Sequence, residues 1–296
     1  FHKRYGGKKY DPYIYSGLYH AMQLNIGSSY NAIKVTGPSK NRINSVAVSS
    51  KGNQLYAAAA DGRVFMADFE KLTEQPTAFE NPFPNKLVAL SKDENYLVLG
   101  TDSAAVQIFD LRSGKTSVQR VKDFKGATNA IEFLPDNSGF LVSKADKTIY
   151  QVNHVTGKSQ ALITLPYEVK SLSISPDGQY AVGGAWSGEL ALINIAARTA
   201  EVIYQDPNSQ ILSVRFSPNG NRIAYGTYEV KDKRGLVKLY DVRKHAKEDR
   251  QFTGHKAGVY DVEFSPDGKL MASASSDQRV QMWVLDFPED LPIVMD

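Results

Sequence analysis

The chain has 296 residues, of which 42% are hydrophobic and 23% are charged, and its formal net charge is +3. This composition is typical of a folded globular protein with a sizeable core and argues against a disordered chain. The small positive charge is scattered along the chain and gives no support for nucleic-acid binding. Because the chain contains no cysteine, disulfides, thiolate nucleophiles and cysteine metal sites are excluded.

Apolar runs in the sequence are far shorter than the ~20 residues that a membrane helix requires, so we predict no membrane span. The basic residues at the start of the sequence are not followed by the apolar stretch of a secretory signal. These features favour the cytoplasm as the compartment and leave the periplasm as an alternative.

The first predicted element is a short helix from Pro12 to Leu24. Asp11 and the proline that follows it are typical of a helix start, and apolar residues then recur near helical spacing. A strand is the alternative, because the tyrosines and the isoleucine at the start of this stretch favour sheets. We therefore divide the chain into an N-terminal linker with a short helix, residues 1–29, and a β-domain, residues 30–296.

One turn motif recurs six times in the rest of the sequence. Three weaker copies lie around residues 50, 92 and 135, and three clear copies follow at Ser175–Gly178, Ser217–Gly220 and Ser265–Gly268. The successive copies are 42, 43, 41, 42 and 48 residues apart. Proline followed by Asp-Gly or Asn-Gly favours a tight turn between two strands. The regular spacing therefore predicts six structural repeats.

Each repeat is predicted to contain four strands. An alternating segment such as Val259–Phe264 precedes the turn, and a small, apolar segment such as Leu270–Ala274 follows it. A second turn, such as Asp277-Gln278, leads to a third strand, such as Val237–Val242, and a more polar fourth strand completes the unit. Four short strands in each repeat are typical of the blades of an all-β propeller, which surround a central channel.

The chain resembles the WD-repeat family, most clearly in the segment from Phe252 to Val284. This segment has Thr-Gly-His ahead of its first strand and a tryptophan in its third, whereas the other blades carry degraded forms of the Trp-Asp dipeptide. In that family a His, a Ser or Thr, an Asp and a Trp form a hydrogen-bonded set inside a blade. The resemblance implies this structural role, and neither catalysis nor metal binding, for His255, Ser273, Asp277 and Trp283.

The resemblance also implies how the ring closes, because each repeat of the family begins with the outer strand of one blade. Ile33–Val35 is predicted to be such an outer strand, and Leu291–Met295 is predicted to complete the sixth blade. Two designs remain: a seven-bladed ring whose last inner strands lie beyond Asp296, which we favour, or a six-bladed ring with one surplus strand. The N-terminal segment is similar to the junction between a helical region and a propeller in bacterial signal-transducing ATPases of the STAND class.

Two features are candidates for partner binding. Trp186 lies in the turn between the second and third strands of the fourth blade, on the face that usually meets partners in the family, and an exposed tryptophan is a favoured anchor. Packing of its ring over Tyr180 or an adjoining blade is the alternative. The fifth blade has an insertion that either carries recognition or is a plain hairpin extension with solvated charges. The candidate residues here and on a mildly basic surface are Tyr228, Lys231, Arg234, Arg42 and Lys86.

The sequence contains no nucleophile elbow, no phosphate loop and no histidine spacing suited to a metal. We therefore expect no catalysis, cofactor or metal, and we predict a protein-interaction scaffold or sensor module that belongs to a larger signalling protein and binds a protein or peptide on one face. The rival is a propeller enzyme similar to lactonases, or a periplasmic propeller of the TolB type. Propeller enzymes gather carboxylates or histidines at the central channel to hold metal, and we identify no such set in the sequence.

Overall fold

A computed structural model of the chain describes residues 43–49, 52–68, 73–74, 79–80, 84–113, 117–122, 124–285 and 293–295. The predicted helix from Pro12 to Leu24 and the predicted strand Ile33–Val35 lie outside these residues. In the described ranges nearly every regular element is a β-strand, and the one helix among them is a single 3₁₀ turn at Leu111–Ser113. No helix there has the length and apolar character needed to cross a membrane.

The strands form six antiparallel sheets, one for each predicted repeat, which we call blades 1 to 6. The first three blades contain β1 (Ile43–Val48), β2 (Gln54–Ala59), β3 (Arg63–Asp68), β4 (Thr73–Glu74) and β5 (Phe79–Glu80); β6 (Asn85–Leu90), β7 (Tyr96–Thr101), β8 (Val106–Asp110) and β9 (Ser117–Val121); and β10 (Thr128–Phe133), β11 (Phe140–Lys144), β12 (Thr148–Val152) and β13 (Ser159–Thr164). The last three contain β14 (Val169–Ile174), β15 (Tyr180–Ala185), β16 (Glu189–Asn194) and β17 (Thr199–Gln205); β18 (Ser209–Phe216), β19 (Arg222–Glu229), β20 (Arg234–Asp241) and β21 (Ala246–Phe252); and β22 (Val259–Phe264), β23 (Leu270–Ser275), β24 (Val280–Val284) and β25 (Ile293–Met295).

The strands of each blade pair in sequence order, as expected for a propeller. Blade 1 differs in its outer edge, because β4 and β5 are two short strands that both pair with β3. In blade 6, β25 pairs with β24, so the predicted outer strand near the end of the sequence is present over Ile293–Met295.

The recurring turn connects the first and second strands of each blade, and hydrogen bonds of its own side chains stabilise it. In blade 6 the Ser265 hydroxyl lies 2.5 Å from the Asp267 carboxylate, and the Leu270 N–H donates to the Ser265 oxygen at 2.9 Å. Gly268 has a φ of +68°, a conformation that glycine adopts without steric cost. The turns of blades 4 and 5 repeat this pattern, so the turn chemistry fixes the register of each inner hairpin.

Hydrophobic side chains fill the layers between neighbouring blades. For example, Val237 and Leu239 of blade 5 pack with Val262 and Trp283 of blade 6. The first strands form the inner wall, since β1 contacts β6, β6 contacts β10, and this series continues through β14 and β18 to β22. No comparable contact joins β22 to β1 within the described residues. The described structure is thus a propeller of six blades, and the seven-bladed design stays a prediction.

Candidate functional site

Antiparallel pairing places the start of every first strand and the end of every second strand at the same side of the propeller. We call this side the upper face; it carries Lys86, Trp186, Tyr228 and Lys256. The opposite side, the lower face, carries the six recurring turns. All of the sequence-predicted partner-binding residues that the structure describes lie on the upper face, and Arg42 lies outside the described residues.

Trp186 follows β15 directly and its side chain is 52% exposed. The Lys170 ammonium lies 4.9 Å from the centre of the indole ring, a cation–π arrangement that occupies one face of the ring. Lys170 also forms an ion pair with Glu168 and approaches the Asn129 amide oxygen at 3.4 Å. Tyr180 begins β15, at the other end of the strand, so the indole does not pack over it. These contacts orient the tryptophan while about half of its surface stays open to solvent.

The insertion in blade 5 lengthens the hairpin between β19 and β20. Tyr228 pairs with Gly235 and Glu229 pairs with Arg234, so the strands continue to the tip. Lys231 and Arg234 are exposed there, and the guanidinium of Arg234 lies 3.3 Å from the Asp232 carboxylate. The insertion is therefore a hairpin extension in form. Elsewhere on the upper face, Lys86 lies 3.6 Å from Asp102 in an exposed pair.

The four residues assigned to a structural set lie together in the interior of blade 6. His255 precedes β22, and its two ring nitrogens lie 2.9 Å from the Asp277 carboxylate and 2.9 Å from the Ser273 hydroxyl. The indole N–H of Trp283 donates to the same hydroxyl at 2.9 Å. Because the indole can only donate, the Ser273 oxygen accepts from Trp283, and the hydrogen bonds of His255 to Ser273 and Asp277 complete the set.

Asp277 is the last member of this hydrogen-bonded set, and it anchors the loop ahead of β22. Burial alone raises the pKa of its carboxyl, but hydrogen bonds from the Lys256 and Arg279 backbone N–H groups and from His255 outweigh burial and hold the pKa below its usual value. The carboxylate thus ties the second turn of the blade to the loop that enters it. The position of Ser273 is apolar or aromatic in the other five blades, where it is taken by Ala57, Leu99, Val142, Gly183 and Tyr225.

Blade 5 contains a different buried set at its upper end. The ammonium of Lys238 lies 2.6 Å from the Glu229 carboxylate, and this carboxylate also accepts hydrogen bonds from Ser209 and Thr227. The side chains of Lys238 and Glu229 are only 4% and 13% exposed. Burial raises the pKa of Glu229, but the hydrogen bonds from Lys238, Thr227 and Ser209 lower it by more than burial raises it. The pKa is therefore below its usual value, and the group is a carboxylate at neutral pH. The carboxylate of Glu229 thus forms its hydrogen bonds to side chains of its own blade.

A second unpredicted cluster lies on the wall of the central channel. Arg215 of β18 reaches Glu263 of β22 at 2.9 Å and Glu132 of β10 at 3.4 Å, although blades 3 and 5 are not neighbours. Asp261 also lies within electrostatic range of the arginine. Asp261 and Glu263 are exposed to the channel, but the surrounding blades still remove part of their solvent and that of Glu132; this desolvation raises the pKa of all three carboxyl groups, and Arg215 opposes that shift. From the sequence we looked for a metal-holding set at the channel and did not identify this cluster of ion pairs.

The arginine determines what the channel cluster can do. Its guanidinium occupies the space between Glu132 and Glu263, where a cation bound by both carboxylates would have to lie. No group of three or more histidine, aspartate or glutamate side chains in the described ranges is arranged to hold a metal ion. We read the cluster as a set of ion pairs that joins the inner strands of three blades.

The channel cluster could have been identified by aligning the repeats on their turns. Three positions before the second residue of the turn, blades 1, 2 and 4 have Ala47, Ala89 and Ser173, whereas blades 3, 5 and 6 have Glu132, Arg215 and Glu263. Opposite charges at equivalent positions of an inner strand indicate pairing across the channel. The Lys238–Glu229 pair gives a weaker signal, because Glu229 lies in the insertion, which has no counterpart in the other repeats.

Comparison with known proteins agrees with the repeat structure. Residues 31–68 and 246–284 match the family model described as WD domain, G-beta repeat. The chain is 27% identical over 186 residues to transcription initiation factor TFIID subunit 5 of Caenorhabditis elegans, and the match covers 63% of this chain and 28% of that protein. It is 25% identical over 199 residues to serine-threonine kinase receptor-associated protein of Mus musculus, with 67% and 54% covered.

A third relative is periodic tryptophan protein 2 of Arabidopsis thaliana, with 24% identity over 249 residues that cover 83% of this chain and 27% of that protein. The chain thus spans between about a quarter and about a half of the length of these relatives. The repeated four-stranded blades, the hydrogen-bonded set from His255 to Trp283 and the matched segments lead to the same conclusion. The chain carries WD repeats, and its described blades form a β-propeller.

Proposed function

We propose that this propeller is a non-catalytic protein-interaction module that binds a protein or peptide on its upper face. The observation that carries the proposal is the side chain of Trp186, which is 52% exposed and held in place by Lys170 at 4.9 Å. A large aromatic ring that is ordered yet open to solvent costs little entropy on binding and gains a large contact area. The Lys238–Glu229 pair and the set from His255 to Trp283, by contrast, form their hydrogen bonds within their own blades.

The relatives support a role in assemblies. Two of them are, by name, a subunit of a transcription initiation factor and a receptor-associated protein. We extend from these names only the general role, and we propose that this chain is the scaffold or sensor part of a larger signalling protein that acts in the cytoplasm. Its blades share ion pairs and apolar layers, so the face is presented on a rigid support.

Panning of a random peptide display library against the chain tests the proposal. Enriched peptides would then be measured by fluorescence anisotropy on the wild type and on Trp186→Ala. We expect binding to weaken about tenfold or more, as for an aromatic anchor at an interface. Val155→Ala is the matched control, because Val155 is an exposed apolar residue on the lower face, with 63% of its surface accessible.

Two outcomes would contradict the proposal. One is a failure to enrich any peptide, and the other is a set of peptides that bind Trp186→Ala and the wild type equally but lose affinity for Val155→Ala. The urea midpoint of each variant serves as a check that the substitution has left the fold intact.

A further inference from the structure

The residues at the channel rim on the upper face differ in polarity from blade to blade. At the same position near the start of the first strand, blades 2, 3 and 4 have Lys86, Asn129 and Lys170, whereas blades 5 and 6 have Leu212 and Tyr260. The side chain of Tyr260 is 61% exposed. Since the equivalent residues of three blades are polar, core packing does not require an apolar residue here.

Two glycines bring the blade 5 hairpin directly against the loop that enters blade 6. A Cβ on Gly235 would lie 2.1 Å from the carbonyl oxygen of Ala257. A Cβ on Gly258 would lie 2.8 Å from the Leu212 side chain, 3.4 Å from that of Tyr228 and 3.6 Å from the ring of Tyr260. Three side chains of blades 5 and 6 therefore converge over Gly258, and we call Leu212, Tyr228, Gly258 and Tyr260 the aromatic patch.

Basic residues surround the aromatic patch. Lys231, Lys233 and Arg234 lie at the hairpin, and Lys256 lies beside Ala257 in the loop of blade 6; all four are exposed. The one acidic residue at the tip, Asp232, pairs with Arg234 at 3.3 Å. The three lysines have no ion-pair partner among the residues that the structure describes. The patch thus has an apolar centre and a positively charged border, which we call the basic rim.

We infer that the aromatic patch and the basic rim bind an acidic amphipathic peptide segment, in which aspartate or glutamate residues flank leucine or phenylalanine. The apolar side chains of the peptide contact Leu212 and Tyr260, and its carboxylates face the lysines of the rim. Charge complementarity of this kind increases the association rate and selects against basic partners. The inference rests on the proposed function, because it names the class of partner for the upper face.

The experiment measures fluorescence anisotropy of a short fluorescein-labelled peptide that alternates aspartate or glutamate with leucine and phenylalanine. A second peptide replaces the acids with asparagine and glutamine. We expect the wild type to bind the acidic peptide about tenfold or more tightly than the amide peptide, with an affinity that falls as salt rises, because salt screens exposed charges.

Charge reversal identifies the surface. The double substitution Lys231→Glu with Lys233→Glu should weaken binding of the acidic peptide about tenfold or more, and Tyr260→Ser should weaken it at every salt concentration. The matched control reverses Lys158 and Lys269, which are exposed on the lower face, and should leave the affinity unchanged. Equal effects of the two double substitutions would overturn the inference.

Binding of other anions and the composition of the peptides enriched from the library give the remaining outcomes of the test. The inference is wrong if the acidic peptide does not bind while a single-stranded oligonucleotide or an anionic lipid vesicle does. It is also wrong if the display library yields peptides that depend on Trp186 but show no acidic bias; the proposed function would then stand without it. If no peptide is enriched at all, the proposed function itself has failed.

Discussion

The ammonium of Lys238 and the carboxylate of Glu229 form a buried pair at 2.6 Å in the upper end of blade 5. Removal of one member of such a pair leaves the other charge buried without a counter-ion. We expect Lys238→Met or Glu229→Gln alone to lower the free energy of unfolding by about 3–5 kcal/mol. The double variant should recover part of this loss, because it leaves neither charge unpaired. Urea unfolding of the four proteins gives the coupling energy.

The Lys238–Glu229 pair also determines how the stability of the fold changes as the pH falls. The pKa of Glu229 is lowered in the folded chain, so its stabilising contribution is present above the pKa of the unfolded chain and is lost as the pH falls through the folded value. The Glu229→Gln variant lacks this pH-dependent contribution to stability. The difference in stability between the wild type and this variant should therefore shrink on acidification, and a constant difference would show that the carboxylate is not stabilised by Lys238.

The channel cluster predicts that the stability deficit of an Arg215 substitution also shrinks on acidification, although the carboxyl pKa values there are raised and not lowered. Desolvation raises the pKa values of Glu132, Asp261 and Glu263, and Arg215 opposes that shift, so Arg215→Met should raise them further. The folded variant then binds protons that the unfolded chain has already released, and its stability falls as the pH rises above the usual carboxyl range. We expect the deficit of Arg215→Met relative to the wild type to be largest near neutral pH and to decrease toward pH ~5.

An exposed arginine provides the control for this measurement. Arg243 is 67% exposed in its side chain and lies 3.9 Å from Asp241. An exposed pair contributes little, so Arg243→Met should change stability by no more than about 1 kcal/mol at any pH. A deficit for Arg215→Met that does not vary with pH would mean that the channel carboxylates do not depend on the arginine.

The repeat spacing was sufficient to predict six blades and their strand order, because Ser-Pro-Asp-Gly turns define a register that the strands must follow. The hydrogen-bonded contacts among His255, Ser273, Asp277 and Trp283 are local to one blade, so their motif is readable in one segment of sequence. The contact of Arg215 with Glu132 was missed because it joins residues 83 positions apart across the channel. Patterns within a repeat report the fold of a blade, whereas pairing across the ring appears only when all repeats are compared.

Two substitutions of Trp283 should lower the stability of the fold by different amounts. Trp283→Phe keeps most of the apolar volume but removes the N–H that donates to Ser273, so we expect a loss of about 1–3 kcal/mol. Trp283→Ala also opens a cavity beside Phe252 and should cost about 3–5 kcal/mol. The urea midpoints of the two variants measure these costs. Equal midpoints for Trp283→Phe and the wild type would show that the hydrogen bond carries no net stability.

Blade 1 allows a direct test of the seven-bladed design. On its first strand, Val46 and Val48 are 56% and 51% exposed, whereas the equivalent Val214 and Phe216 of blade 5 are 2% and 6% exposed because blade 4 covers them. An apolar inner strand without a neighbouring blade favours aggregation, so we expect a seventh sheet to cover this face. The chain contains no cysteine, and a single introduced thiol therefore reports on the coverage of its own position.

The measurement is the rate at which a thiol reagent modifies Val46→Cys in a chain extended past Asp296 by one repeat, about 40 residues. Val214→Cys serves as the buried reference, and Val202→Cys as the exposed one, since Val202 is 48% accessible on an outer strand. A seven-bladed ring predicts that Val46→Cys reacts about as slowly as Val214→Cys in a protein that light scattering shows to be a monomer. Reaction as fast as that of Val202→Cys would mean that the face is open and that six blades suffice. Slow reaction in a dimer would mean that a second copy of the chain, and not a seventh sheet, covers the two valines.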